Sequence, residues 1–194
     1  MRPRRFEDAD LGARFEVDGD FTPGPPLATP ADLPGVRAAC LARRDAAGAA
    51  VLSIARVEAG YETTPQELAE RLVLHNRYTA HTAEERGWTL HLPWKAAMLA
   101  GHPAMHCDYV VPAGASDDAA TDSPAGQTRE PQALPVAGAA LEVGSPGHVQ
   151  AWIAYAGPVT WQLMLGVDPP GDLDANRRVM EQVTSSFELL EPLG

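Results

Sequence analysis

Apolar residues recur along this chain at two periods, and the switches between them divide it into strands and helices. Val51, Ser53, Ala55 and Val57 alternate with Leu52, Ile54 and Arg56, a period of two with apolar residues on both sides. That pattern predicts a mostly buried strand over 49–58, joined through Asp45-Ala46-Ala47-Gly48 to a strand over 36–43 as a hairpin. Val159, Trp161, Leu163, Leu165 and Val167 share one face of another strand, which is expected to be core. Gly157-Pro158 joins it to a strand over 149–156, where Trp152 shares a face with Ala154 and Ala156. Over 104–111, Met105, Cys107, Tyr109 and Val111 face one way and Ala104, His106, Asp108 and Val110 the other. Shorter strands are predicted over 13–17, 88–92 and 95–100, with Pro93 separating the last two and Gly101-His102-Pro103 turning the chain.

Two segments repeat every three or four residues instead. Thr64 can cap a helix that has Pro65 at its first position and Glu67 completing a capping box. Leu68, Leu72, Asn76 and Thr79, widened by Val73, form its stripe, so a helix is predicted from Pro65 to Glu84, stopping near Gly87. A final helix, capped by Asp172 or Asp174, carries Val179, Met180, Val183 and Phe187. Residues 1–12 read as a frayed lead-in, and the prolines of 18–34 as an irregular connection. Residues 112–148 hold five prolines and five glycines, and are expected to be a long loop or partly disordered insertion with a short strand over 134–143. Strands, helix, strands, helix is an α+β order: a mainly antiparallel sheet of about six to seven strands covered by two principal helices. Length favours one domain over 1–194.

Charge narrows the partners. Twenty-six acidic against 15 basic side chains give a net charge of −11, which repels phosphate backbones and argues against nucleic acid. Lys95 is the sole lysine. Two cysteines, Cys40 and Cys107, lack a CxxC spacing and read as small buried thiols. Residues 1–30 contain no apolar core of a signal peptide, and the longest apolar run is far short of a membrane span, so a cytoplasmic location and no membrane insertion are expected.

Three phrases carry a resemblance. Arg14-Phe15-Glu16-Val17 opens a strand that ends in turn formers, and Leu99-Ala100-Gly101-His102-Pro103-Ala104 forms a turn into a long strand. Val179-Met180-Glu181-Gln182-Val183-Thr184-Ser185-Ser186-Phe187 closes the last helix. In these phrases and in element order the chain resembles the PsbP-like superfamily, which includes a photosystem extrinsic subunit, a Ran-binding import factor and bacterial adaptor relatives. It departs from that pattern in having Asp20-Phe21 where a Trp follows the first strand, and in the 112–148 segment. The resemblance implies an α/β/α sandwich and protein binding, and no shared catalytic set.

Among chemistry-bearing residues, His102, His106 and Asp108 lie on one side of a strand. Such a face can be solvated or covered by a partner, or His106 and Asp108 can work as an acid/base pair. No HxH or helical HxxxH spacing supports a metal, and no Walker loop, GxGxxG or GxSxG is present, so no cofactor is expected. Cys107 points away from His106, and His75 and His81 read as solvated helix positions. Trp161 reads as core. Trp88 and Trp94, at strand ends, join His91, His102, His106 and Asp108 as the candidate binding surface, because Trp buries much area and keeps a polar handle. The function these features predict is a non-enzymatic protein-binding module, adaptor or chaperone-like, acting on another protein in the cytosol. The alternative is a small-molecule enzyme of lyase, isomerase or cyclase type, or a binder, using His106 and Asp108.

Overall fold

The computed structural model describes residues 3–24, 35–45, 48–58, 60, 62–112 and 147–190. In chain order the elements are β1 (Pro3–Asp8), β2 (Ala13–Asp18), β3 (Thr22–Pro23), β4 (Val36–Asp45), β5 (Gly48–Glu58), α1 (Pro65–Arg86), β6 (Thr89–Leu99), β7 (His102–Val111), β8 (Gly147–Ala156), β9 (Val159–Asp168), α2 (Leu173–Ser186) and β10 (Glu188–Leu189). A seven-stranded antiparallel sheet has the order β3-β4-β5-β9-β8-β7-β6, and a three-stranded sheet the order β1-β2-β10. The α+β expectation holds, and the strand expected over 134–143 lies outside the described residues.

Period-two alternation decides which layer each residue joins. Leu52, Ile54, Trp161, Leu163 and Leu165 point to the face that packs on α2 and the small sheet, together with Phe15, Val17, Val179, Met180, Val183 and Phe187. Phe187 links the layers, with its ring 6.0 Å from Phe15 and edge-on to Trp161 at 5.6 Å. On the opposite face α1 lays Leu68 and Leu72 over Trp94, Met105, Cys107 and Tyr155. The capping box at α1 forms as its sequence dictates: Thr64 Oγ1 accepts from the Glu67 amide and Glu67 Oε2 accepts from the Thr64 amide. Gly87, at φ 68, closes the helix in the left-handed conformation that glycine adopts at least cost. Both cysteines are buried and free.

Three expectations need correction. Residues 3–8, read as a frayed lead-in, pair along their length with β2, and Phe6 stacks on Phe15 at 4.8 Å. The two strands expected on either side of Pro93 are one strand, β6, with register shifts at Leu90/Leu92 and Leu92/Lys95. The proline survives because β6 is an edge strand, where a missing N–H breaks no ladder bond. The second shift re-phases the side chains, so Trp94 faces α1 while Lys95 pairs with His106 on the other side. Finally, His75 is half-buried against Trp94 at 5.1 Å, and burial followed by the Arg71 charge holds its pKa below the ordinary value.

Gly48 opens β5 at φ +145, and a Cβ there would sit 2.3 Å from the Asp168 carbonyl oxygen of β9. Backbone cannot yield as a flexible side chain does. Gly48→Ala is therefore expected to destabilise by roughly 1–3 kcal/mol, seen as a lower denaturation midpoint with an unchanged m-value.

Candidate functional site

Asp108 sits on β7 with its side chain under the N-terminal turns of α2, and only 5% of its surface is exposed. Its Oδ1 lies 2.8 Å from His148 Nε2 and its Oδ2 2.7 Å from Arg177 Nε. Asn176 Nδ2 donates to the Pro170 carbonyl at 2.7 Å and to His148 Nδ1 at 3.1 Å. With Nδ1 accepting, the imidazole carries its hydrogen on Nε2 and donates it to Asp108. Arg177 also donates from Nη1 to Asp174 at 3.0 Å. Burial pushes the Asp108 carboxyl up, but the hydrogen bonds from His148 and Arg177 outweigh it and hold the pKa below the usual value. Gln150, cross-strand from Asp108 and 8% exposed, has a buried Nε2 without a hydrogen-bond partner among the described residues.

The network ties α2 to β7 and β8 and leaves Asp108 with both oxygens engaged by groups other than His106. The face of Ala104, His106, Asp108 and Val110 is thus not uniformly solvated. Ala104 and Asp108 are buried, and His106 and Val110 are partly covered. His106 instead stacks on Trp152 of β8, centroids 4.5 Å apart and planes at 25°. Burial first, then the Lys95 charge, lowers the His106 pKa, with Asp108 acting weakly the other way. His106, Trp152 and exposed Lys95 form a ledge on the outer part of the sheet, beside the Arg177 flank of α2. A polar cleft of about 320 Å³ on the other flank of α2, lined by Asp18, Arg43, Asn176, Arg178 and Gln182, includes neither His106 nor Asp108.

The remaining candidates lie elsewhere. Trp94 is 8% exposed and donates its indole N–H to Thr79 Oγ1 at 2.8 Å, so it faces α1 and not solvent. Trp88 stacks flat on Tyr109 at 4.9 Å on that same side, and its Nε1 is buried without a partner among the described residues. His91 is exposed on β6, and His102 is partly covered where the β6–β7 turn enters β7. Only His106 and Asp108 among the six are neighbours on one face. Trp152, Lys95, His148, Asn176 and Arg177 escaped sequence reasoning. For His148 a signal existed: it continues the even-numbered face of Trp152 and Ala154, but it stood beside the proline-rich segment and read as loop. Among the described residues no three His, Cys, Asp or Glu side chains converge as a metal site, and no helix is long and apolar enough to cross a membrane.

An antiparallel sheet with one helix on each face, and a small sheet sharing the second layer, makes an α+β sandwich. Among solved structures the chain is similar to cyanobacterial PsbP of Synechocystis sp. PCC 6803, at TM-score 0.54 and 14% identity over 96% of this chain and 92% of that one. It is also similar to LpqN of Mycobacterium tuberculosis, involved in cell envelope biogenesis, at TM-score 0.50 and 11% identity over 98% and 91%. A Bacteroides thetaiotaomicron structure aligns at TM-score 0.48 and 11% identity with 98% of this chain, which spans only 50% of the length of that one. No family model and no curated protein matches the sequence.

Proposed function

We propose that this protein is a non-enzymatic binding module, an adaptor or chaperone-like protein of the cytosol, which holds another polypeptide against the His106–Trp152 ledge. The observation that carries this reading is the stacked pair itself: two partly buried rings on a sheet face, bordered by Lys95 and the Arg177 flank of α2. Such rings bury much area at small entropic cost and suit an interface centre. The engagement of Asp108 by His148 and Arg177 supports binding over catalysis, since an acid/base pair with His106 would need that carboxylate available. The PsbP-like superfamily's adaptor and GTPase-binding members support the same reading by analogy of fold.

A photoreactive amino acid at position 181, exposed on α2 one turn after Arg177, tests it in native cytosol. One dominant crosslinked polypeptide is expected, and Trp152→Ala should weaken that partner about thirtyfold, the loss typical of an aromatic interface anchor. A co-purifying metabolite with no crosslinked polypeptide would overturn the proposal and favour the enzyme reading.

A further inference from the structure

Among the described residues the large sheet ends at β6, and the second half of that edge strand is regular. The first half is guarded by two register shifts and Pro93, features that keep edges from joining. From Lys95 to Leu99 the strand is regular, each residue opposite one of β7 from His106 back to His102. The connecting turn has Ala100 at φ 49 and Gly101 at φ 79, a two-residue turn of the I′ kind, whose flanking pair, Leu99 and His102, is the hydrogen-bonded one. Alternation then makes Met98–Pro103 and Ala96–Met105 the pairs without mutual hydrogen bonds. Pro103, which has no N–H, fits that phase. The N–H and C=O groups of Ala96 and Met98 therefore point outward, away from β7.

Their side chains lie on the α1 side of the sheet. Ala96 is exposed, and Met98 is 61% exposed although it is a large apolar residue. On the same side of the sheet α1 carries a row of Ala69, Val73, Asn76 and Ala80, at spacings of three and four. Asn76 Nδ2 donates to the Trp94 carbonyl at 2.9 Å, which fixes that row along β6, and Val73 is 52% exposed.

We propose that a second copy of this chain pairs with this edge, antiparallel and about a two-fold axis through Ala97. The register is self-complementary. Ala96 stands opposite Met98 of the partner subunit, and Met98 opposite Ala96 of the partner subunit, which matches the two residues with outward hydrogen-bonding groups to each other. Each long Met98 lies across from a small alanine, and Lys95 lies across from Leu99 of the partner subunit, so the lysines do not meet. The two-fold brings both α1 helices to the same side, with their Val73 rows facing across the seam. The His106 and Trp152 rings lie on the other face of the sheet, and Lys95 borders both them and this seam.

Sedimentation of the full chain from about 1 to 100 µM tests it, at low and at moderate salt. A dimer is expected, tighter at moderate salt because screening relieves the repulsion between two chains of charge −11. Met98→Pro removes an N–H that β7 does not use, so the fold should persist while the dimer's dissociation constant rises about tenfold or more. Met98→Lys, which needs no backbone change, should act in the same direction and carries the test should the proline variant misfold. A chain that stays monomeric at the highest concentration overturns the proposal, as does a dimer that both folded variants leave unweakened.

Discussion

Replacing Asp108 by alanine should lower the melting temperature by roughly 6–12 °C, the equivalent of about 3 kcal/mol in a chain of this size. The magnitude follows from what is stranded. His148, 1% exposed, would keep a buried Nε2–H with no acceptor, whereas Arg177 can turn towards water and retain Asp174. For that reason the effect belongs at the low end of the cost of breaking a buried pair. Arg177→Ala, which removes a partner at the surface, should cost about 1 kcal/mol. Asp108→Asn should fall between them, keeping an acceptor for His148 while setting an amide N–H₂ against the guanidinium.

The same carboxylate gives a pH signature. Its folded pKa lies below the unfolded value, so its contribution is fully present above the ordinary aspartate pKa and is lost as pH falls through the depressed folded value. Acid unfolding of the wild type should therefore steepen below about pH 4, and Asp108→Asn should flatten that limb. Melting temperatures across pH 2–7 read both effects. An Asp108→Ala variant that melts within 2 °C of wild type would remove the network as the tie between α2 and the sheet.

Trp94 should matter for stability even more. Trp94→Ala is expected to cost about 3–5 kcal/mol, because it empties the centre of the cluster under α1 and orphans Thr79. Trp94→Phe keeps most of the apolar contact but loses the indole hydrogen bond, and should cost about 1–2 kcal/mol. Chemical denaturation gives these differences directly. Were Trp94 a recognition residue, the alanine variant would instead keep wild-type stability and lose a partner. The tilted His75–Trp94 contact adds a spectroscopic check, since freeing it should move the histidine's titration up towards its ordinary range.

How much of this could be read beforehand depends on the range of the interaction. The capping box at Thr64 and the glycine stop at Gly87 are local, and their residues announce them. The β4–β5 and β8–β9 hairpins and the apolar face of β9 follow from alternation, because a strand buried on a face must place apolar residues there at every second position. The first strand did not announce itself: Pro3–Asp8 is charged and exposed, and it forms because β2 offers an edge. Pro93 reads as a break because the local signal for ending a strand is identical whether the strand is internal or at an edge, and only sheet order distinguishes the two.

The candidate surface divides in the same way. That His106 and Asp108 share one side of a strand is a consequence of pleating, and the sequence alone establishes it. That Asp108 belongs to a buried network and His106 to a ledge depends on His148, Trp152 and Arg177, which are 40 or more residues away in the chain. By itself, then, the sequence determined the two helices, the strands of the two hairpins, the α+β class and the alternation of faces, all of which arise from backbone geometry over a few residues. The tertiary structure alone decided which faces are covered, which strand is the edge, and which polar groups meet, because those depend on where distant strands lie and on the exclusion of water between layers.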